Sequence, residues 1–279
     1  MKGLKQLSLV VLALVILAPN ATALTLETHY IGGTTPANAA GGGDLANVFN
    51  AAARIWEAAY GDEGTITLNF GWAPVGDAGT HTLIEQGGFP NREINGLILC
   101  DNSGAVAFFL DPTPASNEEY GRRTDESQNL GGGFINVARL FRDPAGNAVG
   151  RTDLLSVAIH EIGHALGICA ANMAFMDEAR DGGIQVTGDL PFAGTLIPLA
   201  ANRSGITSHF NPLAVTYGSV MSGIGADERR IPSALDILAN AQISGFSNVN
   251  LDLQSAMPPR ISDTSGVGRA GSGSSMPRK

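Results

Sequence analysis

Residues 152–166 carry the strongest helical pattern of the chain, and two histidines and a glutamate lie inside it. Leu154, Leu155, Ala158, Ile159, Ile162 and Leu166 recur at helical spacing and make an apolar stripe that has to be buried. Thr152 or Asp153 can cap the first turn, and Gly167 can stop the last. His160 and His164 stand four residues apart, so on a helix their imidazoles share one face. Buried imidazoles and carboxylates need partners. A fold that accepts this helix must wrap a core around it and still leave a polar opening along the histidine face.

The opening suits a metal ion. Neutral imidazoles bind zinc, and a catalytic zinc takes three protein ligands while keeping one position for water. Glu161, between the histidines, can take a proton from that water and deliver it to a leaving amine. The residue types and spacing therefore point to metal-assisted hydrolysis of a peptide bond. Two ligands do not complete such a site, so a third must come from elsewhere in the chain.

Continued to Gly167, the segment His160-Glu161-Ile162-Gly163-His164-Ala165-Leu166-Gly167 resembles the signature of the metzincin zinc peptidases. In the common form of that signature, the glycine turns the chain towards a third ligand three residues on. Here that position is Ala170, which has no ligand atom. The next histidine is His209, in Ser208-His209-Phe210, and Ser219-Val220-Met221-Ser222 follows it. This order resembles the leishmanolysin-like branch, in which a long insertion precedes a Ser-His-aromatic triplet and a methionine turn. The resemblance implies His209 as third ligand and Met221 as the methionine beneath one catalytic zinc. It also implies an α+β fold, a twisted mixed sheet packed on the active-site helix, with a loop-rich C-terminal subdomain. The implied activity is a secreted endopeptidase acting on proteins or peptides. The insertion is shorter than in the leishmanolysins proper and their many cysteines are missing, so the chain resembles a bacterial-type relative.

Other readings stay open at this point. Glu178 could be the third ligand of a thermolysin-like zinc peptidase, although that leaves Gly167 and Met221 without a purpose. A secreted, non-catalytic zinc-binding protein would have no use for Glu161. His29 and His81 read as surface or strand histidines. Asp177, Glu178, Asp181 and the Gly182-Gly183 turn could bind Ca2+, but they read more simply as a solvated acidic loop. Gly131-Gly132-Gly133 lacks a nucleotide-binding pattern and reads as room for the next strand or for a substrate backbone.

Acidic residues number 26 against 17 basic ones, for a net charge of −9, the wrong balance for a nucleic-acid partner held through phosphates. Residues 1–23 read as a signal peptide: Lys2 and Lys5, an apolar run over 7–18, then Ala21-Thr22-Ala23. The run is shorter than the roughly 20 residues a span needs, so no membrane span is expected after cleavage. The destination is extracellular, with the periplasm as alternative, and an oxidising compartment makes Cys100–Cys169 a candidate disulfide. Residues 24–257 are expected to form the catalytic domain and 258–279 a disordered tail.

Within the domain, strands are expected at 24–31, 65–70, 94–100, 105–110 and 134–141. The third and fourth of these are read as a hairpin about residues 101–104. Helices are expected at 44–60, 152–166 and 233–243. Residues 71–90, 112–133 and 169–217 read as loop-rich or irregular, and 134–139 as an edge strand able to pair with an extended substrate.

Overall fold

The computed structural model describes residues 23–215 and 218–253; the expected signal peptide before Ala23 and the expected tail lie outside them. The chain is α+β. Its first strand, β1 (Leu24–Gly32), leads to helix α1 (Leu45–Glu57), which Asp44 caps by accepting from the Asn47 N–H at 2.9 Å. Leu45, Val48, Phe49, Ala52, Ile55 and Trp56 form its buried face. Strands β2 (Gly64–Ala73), β3 (Gly79–Gly87) and β4 (Arg92–Asp101) complete a sheet in the order β1-β2-β4-β3. The first two pairings are parallel, and β3 runs antiparallel to β4 along one edge. Phe49 of α1 stacks on Phe70 of β2 with ring centroids 4.0 Å apart.

Residues 71–90 therefore are not simply loop. β3 escaped the sequence pattern because an edge strand exposes much of both faces and shows little alternation of apolar residues. The expected hairpin about residues 101–104 is also corrected. β4 pairs with β3 and β2, whereas β5 is only Phe108–Phe109 and pairs in parallel with β8 (Thr152–Asp153). Residues 112–133 contain β6 (Tyr120–Asn129), again a polar edge strand, which pairs with β7 (Phe134–Pro144). β7 lies between β6 and the later β12 (Arg229–Arg230), so it is the middle strand of its sheet. The edge strand nearest the histidine helix is β3.

That helix, α2 (Leu154–Ala165), is buried at all twelve of its residues. It packs on α1, and the buried Trp56 indole donates from Nε1 to the Ile159 carbonyl at 2.9 Å. Asp153 caps it through the Ser156 N–H at 3.0 Å and also meets Arg229 at 2.9 Å. Arg229 binds Asp111 as well and lies 4.9 Å from the Tyr120 ring, so a fully buried cation joins β12 to the start of α2. Removing one member of such a group strands the charges left behind.

After α2 the supposed loop of 169–217 holds α3 (Met173–Glu178) and a sheet of β9 (Gly183–Gln185), β10 (Leu196–Asn202) and β11 (Gly205–Phe210). Few of its segments are long enough to display a period. Residues 131–133 pack closely against the turn at 192–194, where a Cβ on Gly132 would lie 2.1 Å from the Phe192 carbonyl oxygen. A short 3₁₀ turn (Val220–Ser222) and helix α4 (Ala234–Ser244) follow, the helix capped by Ser233 and Asp236 in a reciprocal box. No helix of the described residues is long and apolar enough to cross a membrane.

Candidate metal centre

His160, Glu161 and His164 are set by α2, and His209 arrives on β11. The Nε2 atoms of His160 and His164 are 3.1 Å apart, and those of His160 and His209 are 3.2 Å apart. Metal–imidazole bonds of 2.0–2.1 Å in a tetrahedral arrangement separate nitrogens by about 3.3 Å. The three rings thus form a set that could hold a metal ion, and among the described residues it is the one group of three or more such side chains that does.

The histidines are prepared chemically as well as geometrically. His160 Nδ1 lies 2.8 Å from the Val220 carbonyl oxygen, and His164 Nδ1 lies 2.6 Å from that of Ile168. A carbonyl only accepts, so both Nδ1 atoms carry the proton and both Nε2 atoms present lone pairs. Burial pushes His160 down to about 4 and His164 well below the usual imidazole value, with repulsion between the rings adding to it. Burial lowers His209 too. Neutral imidazole, the metal-binding form, therefore prevails at neutral pH.

Glu161 is buried beside this cluster, and desolvation, with a smaller contribution from Asp77, raises its carboxyl to about 8. Gly79 of β3 makes room for it: a Cβ there would lie 2.8 Å from Glu161 Oε1. Met221 is fully buried and its thioether packs on α2, since a Cβ on Gly163 would lie 2.5 Å from Met221 Sδ. Gly167 has φ +151°, in the region that favours glycine, and a Cβ there would crowd Ser244, Ile243 and Asn240. A cleft of about 600 Å³ opens over the cluster, walled by Asp77, Thr80, His81, Ile206 and Ile224 among others.

The remaining sequence candidates lie elsewhere. Glu178 is outside the histidine group; its carboxylate is engaged by the Gln242 side chain and the Gln185 backbone. Asp177 pairs with Arg180, and the acids of 177–181 do not converge on a common point. His29 is exposed on β1. The expected Cys100–Cys169 disulfide is absent: both thiols are free. Cys100 is sealed in the core on β4, where burial raises its pKa, while Cys169 borders the cleft.

His81 is more than a strand histidine. Its Nε2 lies 2.8 Å from Glu93 Oε1, both side chains are buried, and its ring stacks on His164 with centroids 6.2 Å apart. The signal available in the sequence was weak, a lone histidine in a polar stretch. No protein-family model, no curated protein and no solved structure matches the chain.

Proposed function

We propose that this chain is a secreted zinc-dependent endopeptidase of metzincin type, in the leishmanolysin-like branch. The observation that carries the reading is the convergence of the His160, His164 and His209 Nε2 atoms beside buried Glu161, at the floor of an open cleft. Gly167 turning the chain off α2, and Met221 packed beneath it, support the same assignment. Three imidazoles, two of them with the Nδ1 proton directed to a carbonyl and none sharing the ligand set with a carboxylate, suit zinc.

His160, His164 and His209 would hold the ion. Zinc there supplies Lewis acidity, acidifying a water molecule, polarising a carbonyl and favouring ionised Glu161. Glu161 accepts the proton of the attacking water and hands it to the leaving nitrogen. An extended peptide pairs with the free edge of β3, which borders the cleft at Gly79–His81.

The test is casein digestion by the full chain, with zinc, with a chelator, and with zinc restored. Glu161→Gln keeps the ligands and the helix, so it should retain stoichiometric zinc and lose roughly 10²–10⁴-fold in turnover. A wild-type chain that binds zinc and cleaves nothing would instead favour a zinc-binding protein without turnover. Near-wild-type turnover by the zinc-loaded variant would remove Glu161 from the reaction.

A further inference from the structure

We infer that Ser208 is a positioning residue for the third ligand, holding His209 over the helix pair through the backbone of Ala170. The inference rests on the metal centre of the preceding reading, not on its peptidase activity. Ser208 Oγ accepts a hydrogen bond from the Ala170 N–H at 2.7 Å, across 38 residues of chain. Ala170 lies three residues beyond Gly167, at the place where the short metzincin signature would put its third ligand. Here that place supplies a backbone donor, and the donor fastens the strand that carries the ligand.

The three histidines are not held alike. His160 and His164 are fixed twice, by α2 and by the carbonyls that accept from their Nδ1 atoms. His209 Nδ1 has no such acceptor among the described residues, so its ring depends on the placing of β11. That strand is the edge of the sheet β11-β10-β9 and pairs only with β10, which in turn pairs with β9. Among the described residues, the Ser208–Ala170 bond is the one hydrogen bond between β11 and the segment leaving α2. Its loss should loosen the placing of His209 relative to the two helical ligands, while the β9–β10–β11 pairing and the buried Phe210 keep the strand itself folded. Groups that orient a metal ligand typically affect metal affinity by about 10–100-fold.

The experiment compares wild type, Ser208→Ala and Ser208→Thr as full chains. Zinc affinity and release are followed with a competing chelator dye, Co2+ absorption reports the coordination geometry, and melting is measured without metal. Ser208→Ala should bind zinc about 10–100-fold more weakly and release it faster, with a changed Co2+ spectrum. Its metal-free melting midpoint should stay within about 2–4 °C of wild type, the shift expected for one lost hydrogen bond in a chain this size. Ser208→Thr, which keeps the hydroxyl, should restore both affinity and spectrum. Wild-type affinity and spectrum in Ser208→Ala would overturn the assignment. So would an affinity loss that threonine does not rescue and that comes with a larger fall in the metal-free midpoint, because the hydroxyl would then support the fold itself. Wild-type zinc binding without peptide cleavage would defeat the proposed activity and leave these affinity comparisons intact.

Discussion

At the residue scale, ligand chemistry decides what a sequence can disclose. Only a few side chains bind metal, so His160 and His164 stand out by type and spacing, whereas His209 is singled out only through the resemblance to a zinc-peptidase branch. His209→Ala should lose zinc and activity together, because two imidazoles on a helix chelate poorly, and Glu178→Ala should leave both near wild type. Zinc per mole after dialysis checks this; the reverse pattern would restore Glu178 as third ligand. The residues that prepare the ligands were not legible. The carbonyls of Val220 and Ile168 are backbone atoms, and the space at Gly79 and Gly163 is a property of neighbours distant in sequence. Glu93 was hidden in the same way. Its side chain is sealed with His81, Oε2 has no partner, and burial raises the carboxyl from 4.5 to about 9. An acid whose folded pKa is raised contributes stability that is fully present below about 4.5 and is lost as pH climbs towards about 9. Glu93→Gln keeps the shape and removes the proton. The stability of wild type relative to this variant should therefore decline from pH 5 to pH 9, by at most about 1.4 kcal/mol per pH unit. Urea unfolding at several pH values measures it, and a pH-independent difference would exclude a neutral buried Glu93.

At the scale of elements, the parts with a long period and a cap were the legible ones. α1, α2 and α4 each combine an apolar pattern with a capping side chain, and the expected ends differ from the observed ones by a few residues. β3 and β6 were missed because edge strands keep polar residues on both faces, and β5 was too short to reveal its partner. The methionine turn was visible only by its distance from His209, yet its anchorage lies in α4. Asp236 accepts from the Met221 N–H at 3.1 Å and the Ser219 hydroxyl with one oxygen, and from the Ser233 N–H at 2.8 Å with the other. One carboxylate thus caps α4 and pins the turn under the histidines. Burial raises its pKa, while these donors pull the other way. Asp236→Ala leaves several buried donors without acceptors and should cost on the order of 3 kcal/mol. Because the His160 Nδ1 acceptor, Val220, belongs to the pinned turn, zinc affinity should fall as well. Unfolding midpoints and zinc titration of the same variant test both effects, and unchanged values for both would deny Asp236 this role.

At the scale of the whole molecule, the metal centre joins parts that are otherwise fastened differently. The sheet β1-β2-β4-β3 packs with α1 and α2 into an apolar core, to which the β10–β11 hairpin adds only a few side chains, Ile197, Leu199 and Phe210 among them. The β10–β11 hairpin makes few hydrogen bonds to α2, and His209 would link it to that helix through the ion. Anything that binds only the folded chain stabilises it by mass action, about 4 kcal/mol when the free ligand is a thousandfold above its dissociation constant. That stabilisation need not be spread evenly, since segments with few buried contacts open first. Chelation should therefore lower the melting midpoint and raise hydrogen exchange chiefly over residues 205–210 and 220–224. Exchange in β2 and β4, whose ladders run through the core, should change least. Peptide-resolved exchange of the full chain, with zinc and after chelation, measures this directly. A uniform rise across both regions would mean that zinc stabilises the fold as one unit; no rise at 205–210 would mean that β11 is held over α2 without the ion.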